Sequence, residues 1–357
     1  MSPSSATEIE SFVDDHQNSS AAAILSLAMN SSSSPSDTDN GLPPGNGSSS
    51  TGGGASQDAI TLAEQCFYLG SGSLGAFFNA IVLYIAIRYI DFEDKPRQII
   101  VLCMSAADFL FCMSYVVTRP FLAFFPVWSC HTYYITIWTA QLCSLINLLW
   151  LNLDKLLYIQ FPLHYYQIVT RRRVIILSVM TILLMTALSL FVNYHLAFGT
   201  SCTSVQLDPS VYLTIYIFYV VVIICSFACS AVIFCIANAS TRLEPAAQSL
   251  MLRRLLFLFS STLCTFITCL PYRLLYLTYL FCPECVWGRM HFRTLTTIFF
   301  YLLVIGSVIN PVLTIVTQLV YRSKVAVAVR SCLELCCRRR GQSAIQGGDG
   351  ILKGGPI

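Results

Sequence analysis

The chain predicts an all-α membrane protein: a seven-transmembrane helix bundle followed by a short amphipathic eighth helix. Three observations predict it. Long apolar stretches recur at about 64–88, 98–122, 130–158, 174–198, 211–237, 251–281 and 294–320. A helix rises about 1.5 Å per residue, so about 20 apolar residues cross a hydrocarbon core of roughly 30 Å. The 357-residue chain is 55% hydrophobic and only 11% charged, which fits a polytopic membrane protein and not a soluble domain. Its basic residues also alternate in position. Lys95, Arg97, Arg171, Arg172, Arg173, Arg253, Arg254, Arg322, Lys324, Arg338, Arg339 and Arg340 fall in every second connection and after the last span. On the other side only Arg119, Arg273, Arg289 and Arg293 stand among the 21 Lys and Arg. By the positive-inside rule the N-terminus is outside and the C-terminus in the cytosol, as an odd number of spans also requires.

In chain order, residues 1–61 hold no Lys or Arg, are rich in Ser, Gly, Asp and Asn, and lack hydrophobic periodicity. They read as a disordered extracellular tail with glycosylation sequons at Asn18, Asn30 and Asn46. Ala21–Met29 is apolar but too short, and without a basic leader, to serve as a signal peptide; span one is the expected targeting signal. The transmembrane domain runs over 62–320. Gly70–Gly75 in span one suits close helix packing. Span two carries Asp108, a charge that costs several kcal/mol in lipid unless it faces a polar interior. Asn79, Ser144, Ser307 and Asn310 lie at similar depth. Pro271 in span six and Pro311 in span seven each remove a helix hydrogen bond and leave a deformable segment.

Most of the 16 cysteines sit inside spans and read as small packing residues. Cys130, at the start of span three, and Cys202, in the loop after span four, both face the oxidising side and can form a disulfide. Cys282 and Cys285 form a CxxC after span six. A local disulfide is the preferred reading; zinc needs two more ligands, and His291 is the one nearby candidate. Residues 321–337 form an amphipathic surface helix and a basic, Cys-rich cluster, with Tyr321, Val325, Val329 and Leu333 recurring every four positions. Cys336 and Cys337 there are candidates for palmitoylation, with unmodified thiols as the alternative. Residues 338–357 read as a disordered cytoplasmic tail.

Together these residues resemble the rhodopsin-like (class A) G-protein-coupled receptors over about 64–337, as a divergent member such as an invertebrate peptide or chemosensory receptor. Asn79-Ala80-Ile81-Val82 is similar to the family's Asn-x-x-Val, and Ser105–Asp108 to its Leu-Ala-x-Ala-Asp. Asp154-Lys155-Leu156 stands where the family has Asp-Arg-Tyr, with Pro162-Leu163 following at the family's spacing. Thr268-Cys269-Leu270-Pro271 aligns with Cys-Trp-x-Pro, Asn310-Pro311-Val312-Leu313-Thr314 with Asn-Pro-x-x-Tyr, and Tyr321-Arg322 with the Phe-Arg that opens the eighth helix. The departures at Lys155, Cys269 and Thr314 alter the family's activation relay. Lys keeps the charge of Arg but loses its planar fork of donors.

The resemblance implies a plasma-membrane receptor that passes an extracellular ligand's binding to a heterotrimeric G protein through Asp154, Lys155, Pro162, Arg253 and Arg254. Membrane lipid is its solvent, no nucleic acid is expected, and it is not an enzyme. Ile137 stands where amine receptors carry Asp, and Val304 where opsins carry the retinal Lys. A peptide or small anionic ligand is therefore expected, received by Arg273 and Arg119 with Gln141, Tyr272 and Tyr276. Asp108, Ser144, Ser307 and Asn310 resemble the family's pocket for an allosteric sodium ion; no other cofactor is expected. Cys269, Pro271, Pro311 and Thr314 stand at the switch positions. A secondary transporter or channel would show paired charges along a path and internal repeats; the chain shows neither. A non-signalling, receptor-like accessory protein is the other alternative.

Overall fold

The computed structural model describes residues 62–198, 202, 205–207, 209–239, 245–281, 290–331 and 334. Seven helices in it are long and apolar enough to cross a membrane. They are α1 (Leu62–Tyr89), α2 (Gln98–Phe111, continued by a π-helical turn over Cys112–Val117), α3 (Val127–Gln160), α4 (Arg171–Tyr194), α5 (Pro209–Ala239), α6 (Pro245–Phe281) and α7 (Met290–Thr317). A bend at Gln318 leads into α8, residues 319–331.

Local chemistry sets where these helices begin and end. Proline opens α5 and α6, where its fixed φ is helical and its missing N–H is unneeded. Pro126 stands in extended conformation just before α3. In α1, Glu64 lies in the first turn and Arg88 in the last, each matched to the helix dipole.

Two spans end earlier than the apolar pattern implies. The expectation of a helix over 98–122 is corrected: α2 unwinds into its π turn, Thr118 follows, and a 3-10 turn covers Arg119–Phe124. Pro120 disfavours α geometry at the residue before it and cannot donate to the turn behind it. Span four stops at Tyr194 and not at 198. Leu196–Phe198 leave the helix as strand β1 and pair antiparallel with β2 (Val205–Leu207). Periodicity alone could not detect so short a hairpin.

The helices close into a ring. α1 packs on α2 and α7, α7 on α6, and α6 on α5, while α3 stands inside against α2, α4 and α5. Close approach of α1 to α2 depends on Gly75, where a β-carbon would meet Cys112 Sγ at 2.7 Å. Gly72 faces the same helix, whereas Gly70 faces open space. Near the two kinks, Gly306 of α7 lets the hydroxyl of Thr268 on α6 approach to 2.8 Å of the space a β-carbon would fill.

The core differs between the two ends. Toward the basic end it is largely aliphatic: Val82, Ile85, Ile100, Val101, Leu148, Leu151, Val174 and Ile233. Toward the disulfide end aromatic rings dominate, among them Tyr68, Phe111, Tyr133, Tyr272 and Phe300. Outward-facing Ile176, Leu183, Leu184 and Phe191 on α4 are exposed, as lipid contact requires.

Polar side chains tie the helices across the interior. Asn152 of α3 is fully buried, and its Nδ2 donates to Ser226 Oγ of α5 at 2.7 Å and to Thr262 Oγ1 of α6 at 3.2 Å. Trp150 Nε1 donates to Thr181 Oγ1 at 3.1 Å and joins α3 to α4. At the start of α8, Tyr321 is buried and its hydroxyl donates to Gln98 Oε1 of α2 at 3.2 Å, while Gln98 Nε2 donates to Gln318 Oε1 at 3.3 Å.

Stability should respond at two positions. Gly75→Val is expected to lower the midpoint of thermal unfolding in detergent, from about 1–3 kcal/mol of overpacking, while Gly70→Val leaves it near wild type. Asn152→Ala should also lower that midpoint, because Ser226 and Thr262 lose a shared partner worth about 1–3 kcal/mol in a buried site.

Candidate functional site

Arg273 lies on α6 two residues past Pro271 and is 5% exposed. Its guanidinium points into the bundle. Nη2 donates to Gln141 Oε1 of α3 at 2.8 Å. Its Cζ stands 4.0 Å from the ring centre of Tyr219, 5.0 Å from Tyr216 and 5.6 Å from Tyr272. Such distances over ring faces are attractive to a cation. The same Gln141 oxygen accepts from Tyr219 Oη at 3.3 Å. Arg273 Nε has no hydrogen-bond partner. Among the described residues the one ion pair is Arg171–Glu93, on the surface at the basic end, so no carboxylate pairs with Arg273.

Arg119 follows the π turn of α2. Its Nη1 donates to Tyr115 Oη at 2.7 Å, and its Cζ lies 5.3 Å from the rings of Tyr68 and Tyr115 and 4.9 Å from that of Phe300. It turns inward among rings and does not extend away from the bundle. Rings link the two arginines. Phe300 meets Tyr272 at 5.6 Å, Tyr272 meets Tyr276 at 5.0 Å, and Tyr276 stacks on Tyr216 at 5.2 Å. Ile137 is buried in the same cluster. The ligand-site residues read from the sequence are thus brought into one aromatic cluster. Tyr68, Tyr115, Tyr216, Tyr219 and Phe300 complete it. Sequence reasoning missed these five, although tyrosines at helical spacing in span five were a signal. Glu64, 3% exposed on α1, accepts from Tyr301 Oη at 3.2 Å at the rim.

The disulfide Cys130–Cys202 forms, with Cα atoms 5.3 Å apart, and ties the β1–β2 connection to the first turn of α3. Tyr134 Oη adds a hydrogen bond to the Cys202 carbonyl at 3.1 Å.

Further toward the basic end, Asp108 is 6% exposed, with Ser144 of α3 close to its carboxylate. Ser307 donates to the Val304 carbonyl at 2.7 Å and accepts from Cys112 Sγ, a residue the sequence reading missed, at 3.5 Å. Asn310 is joined instead to Ser261 of α6, whose hydroxyl donates to its Oδ1 at 3.5 Å. Of the switch residues, Pro271 and Pro311 lie inside α6 and α7. Cys269 Sγ lies 3.7 Å from Thr268 Oγ1, and buried Thr314 turns its hydroxyl onto the Asn310 carbonyl of its own helix at 3.1 Å.

At the basic end, buried Asp154 accepts from Tyr165 Oη at 2.8 Å. Burial pushes the Tyr165 phenol up from its ordinary range, and the nearby Asp154 charge adds to the shift, so the phenol keeps the proton it donates. Lys155 lies over the Tyr158 ring at 5.6 Å. Pro162 is exposed in the turn beyond α3. Arg253 and Arg254 fall within α6, but their side chains lie outside those described. Asn18, Asn30, Asn46, Cys282, Cys285, Cys336 and Cys337 lie outside the described residues.

No family model matches the chain. A protein of Caenorhabditis elegans described as G-protein coupled receptor aex-2 is 53% identical to it over 264 residues, which cover 74% of this chain and 82% of that protein. That identity over most of the length, on seven spanning helices with polar residues turned inward, places the chain: it belongs to the G-protein-coupled receptors.

Proposed function

We propose that this receptor is switched by an extracellular ligand, a peptide or small molecule, that presents an anionic group to Arg273. One observation carries the reading: a guanidinium buried among tyrosines, with an unpartnered Nε and no acid paired to it among the described residues. A buried charge is costly unless a partner compensates it. A carboxylate from outside supplies that partner, and guanidinium–carboxylate geometry makes the pair strong and directional. Arg119, in the same ring array, is the second cation available to the ligand, and the rings favour an acid borne on an aromatic or apolar body.

In this reading the class A resemblance holds. The disulfide end faces outward, the basic end faces the cytosol, and the protein sits in the plasma membrane. Agonist binds one packing of α3, α5 and α6 better than another and shifts the population toward it. α6 bends about Pro271 and opens a crevice for a heterotrimeric G protein beside Asp154 and Lys155.

The oxygen-rich set at Asp108, Ser144 and Ser307 fits a hard monovalent cation by its donor chemistry. Sodium, when bound, supplies a positive charge beside the Asp108 carboxylate. Ser144 would add a hydroxyl oxygen beside that carboxylate, and Ser307 holds α7 toward α2 through Cys112.

Two experiments test the reading in cells that display equal amounts of each variant. In a ligand panel read out across G-protein subtypes, the active compound should be an acid. Arg273→Gln should lower its potency about ten- to a hundredfold, the equivalent of losing a charged hydrogen bond of about 1.5–3 kcal/mol. Unchanged potency rejects the anionic ligand. For the ion pocket, raising sodium should weaken agonist binding to the wild type, and Asp108→Asn should remove that dependence.

A further inference from the structure

Gln141 presents a single carbonyl oxygen to two helices at once. Oε1 accepts from Arg273 Nη2 of α6 at 2.8 Å and from Tyr219 Oη of α5 at 3.3 Å, and Gln141 itself is on α3. One neutral atom therefore joins three helices at the level of the α6 kink. It is also a weak partner for the charge it holds. A neutral amide oxygen meets a guanidinium with less than the strength of a carboxylate, and Nε of the same guanidinium is left without a partner. A full negative charge is a stronger acceptor for that guanidinium than the amide oxygen that now holds it.

We propose that Gln141 is a specificity-determining tether: the anion of the ligand displaces its Oε1 from Arg273, frees α6 from α3, and so couples recognition of an acid to release of the proline-containing helix. No bond is made or broken in the exchange; Arg273 changes acceptor, and the Gln141 amide and the Tyr219 hydroxyl remain paired with each other. Cys269 lies one turn before Arg273 on the same helix, where the family resemblance places a tryptophan. The tether supplies a link between binding and helix motion where that bulky ring is missing. The nature of the displacing group rests on the anionic-ligand reading above; the tether itself does not.

The test uses the purified full-length receptor in phospholipid nanodiscs with no ligand added, and measures guanine-nucleotide exchange on each of a set of heterotrimeric G proteins. Gln141→Leu keeps the size of the side chain and removes the acceptor. Basal exchange should rise about two- to tenfold, the shift that loss of one or two hydrogen bonds makes in a two-state equilibrium. Gln141→Glu makes the tether a charge pair, and exchange should fall below wild type. Tyr219→Phe keeps the Arg273 contact and should lie between wild type and Gln141→Leu. A residue that merely fills space would shift both Gln141 variants the same way, together with their thermal midpoints. Opposite signs for Leu and Glu support the tether. No rise with Leu, or shifts of the same sign for the two, overturns it. Because the assay contains no ligand, its failure is distinct from failure of Arg273→Gln to change potency in the ligand panel.

Discussion

A hydroxyl or amide turned into a lipid-embedded bundle has no water to fall back on, so it must bond within its own helix or reach across to another. Most take the first route. Ser71, Thr181, Ser189, Thr265, Thr268 and Thr296 each donate to the carbonyl four residues earlier. Those bonds satisfy the group without joining helices. The ties that cross between helices show which helices are held together. Asn152 ties α3 to α5 and α6 toward the basic end, and Gln141 ties the same three toward the disulfide end. Between these two nodes lies the Pro271 kink. α6, where Pro271 removes a backbone bond, is thus pinned by side chains on both sides of that proline.

The contrast between the aliphatic and aromatic halves of the core serves the same arrangement. Branched aliphatic side chains fill space and exclude polar company, which suits a region that only has to pack. Tyrosines fill space too, but each brings a ring face and a hydroxyl. That makes the aromatic half able to hold two guanidinium groups away from water without an acid beside Arg273. An acid there would quench the charge that a ligand could use. Glu64, a described acid of the same half, accepts from Tyr301 and forms no ion pair with Arg273.

Much of this was legible in the chain. Hydropathy located seven spans because length and apolarity are what lipid demands, and the inward-facing polar residues Asp108, Ser144, Gln141 and Arg273 stood out because lipid penalises them. What was not legible has local or three-dimensional causes. The end of α2 turns on a π turn and on Pro120, and an apolar run continues past both without a mark. The β1–β2 hairpin is three residues deep on each side, below any period-two signal. The aromatic cluster's extra tyrosines come from α1, α2 and α5, and only the bundle brings them together. Asn152 reads as a polar residue near a helix end; its partners on α5 and α6 lie 74 and 110 residues away in sequence.

At the corner between α7 and α8, the Gln98 side chain uses both of its ends, the amide nitrogen toward Gln318 and the oxygen toward Tyr321. With both ends occupied, the amide cannot rotate by half a turn without losing both bonds. The last helix is thereby keyed to the opening of α2 like a bracket bolted at two holes. A shift of α8 would therefore act first on the base of the helix that carries Asp108.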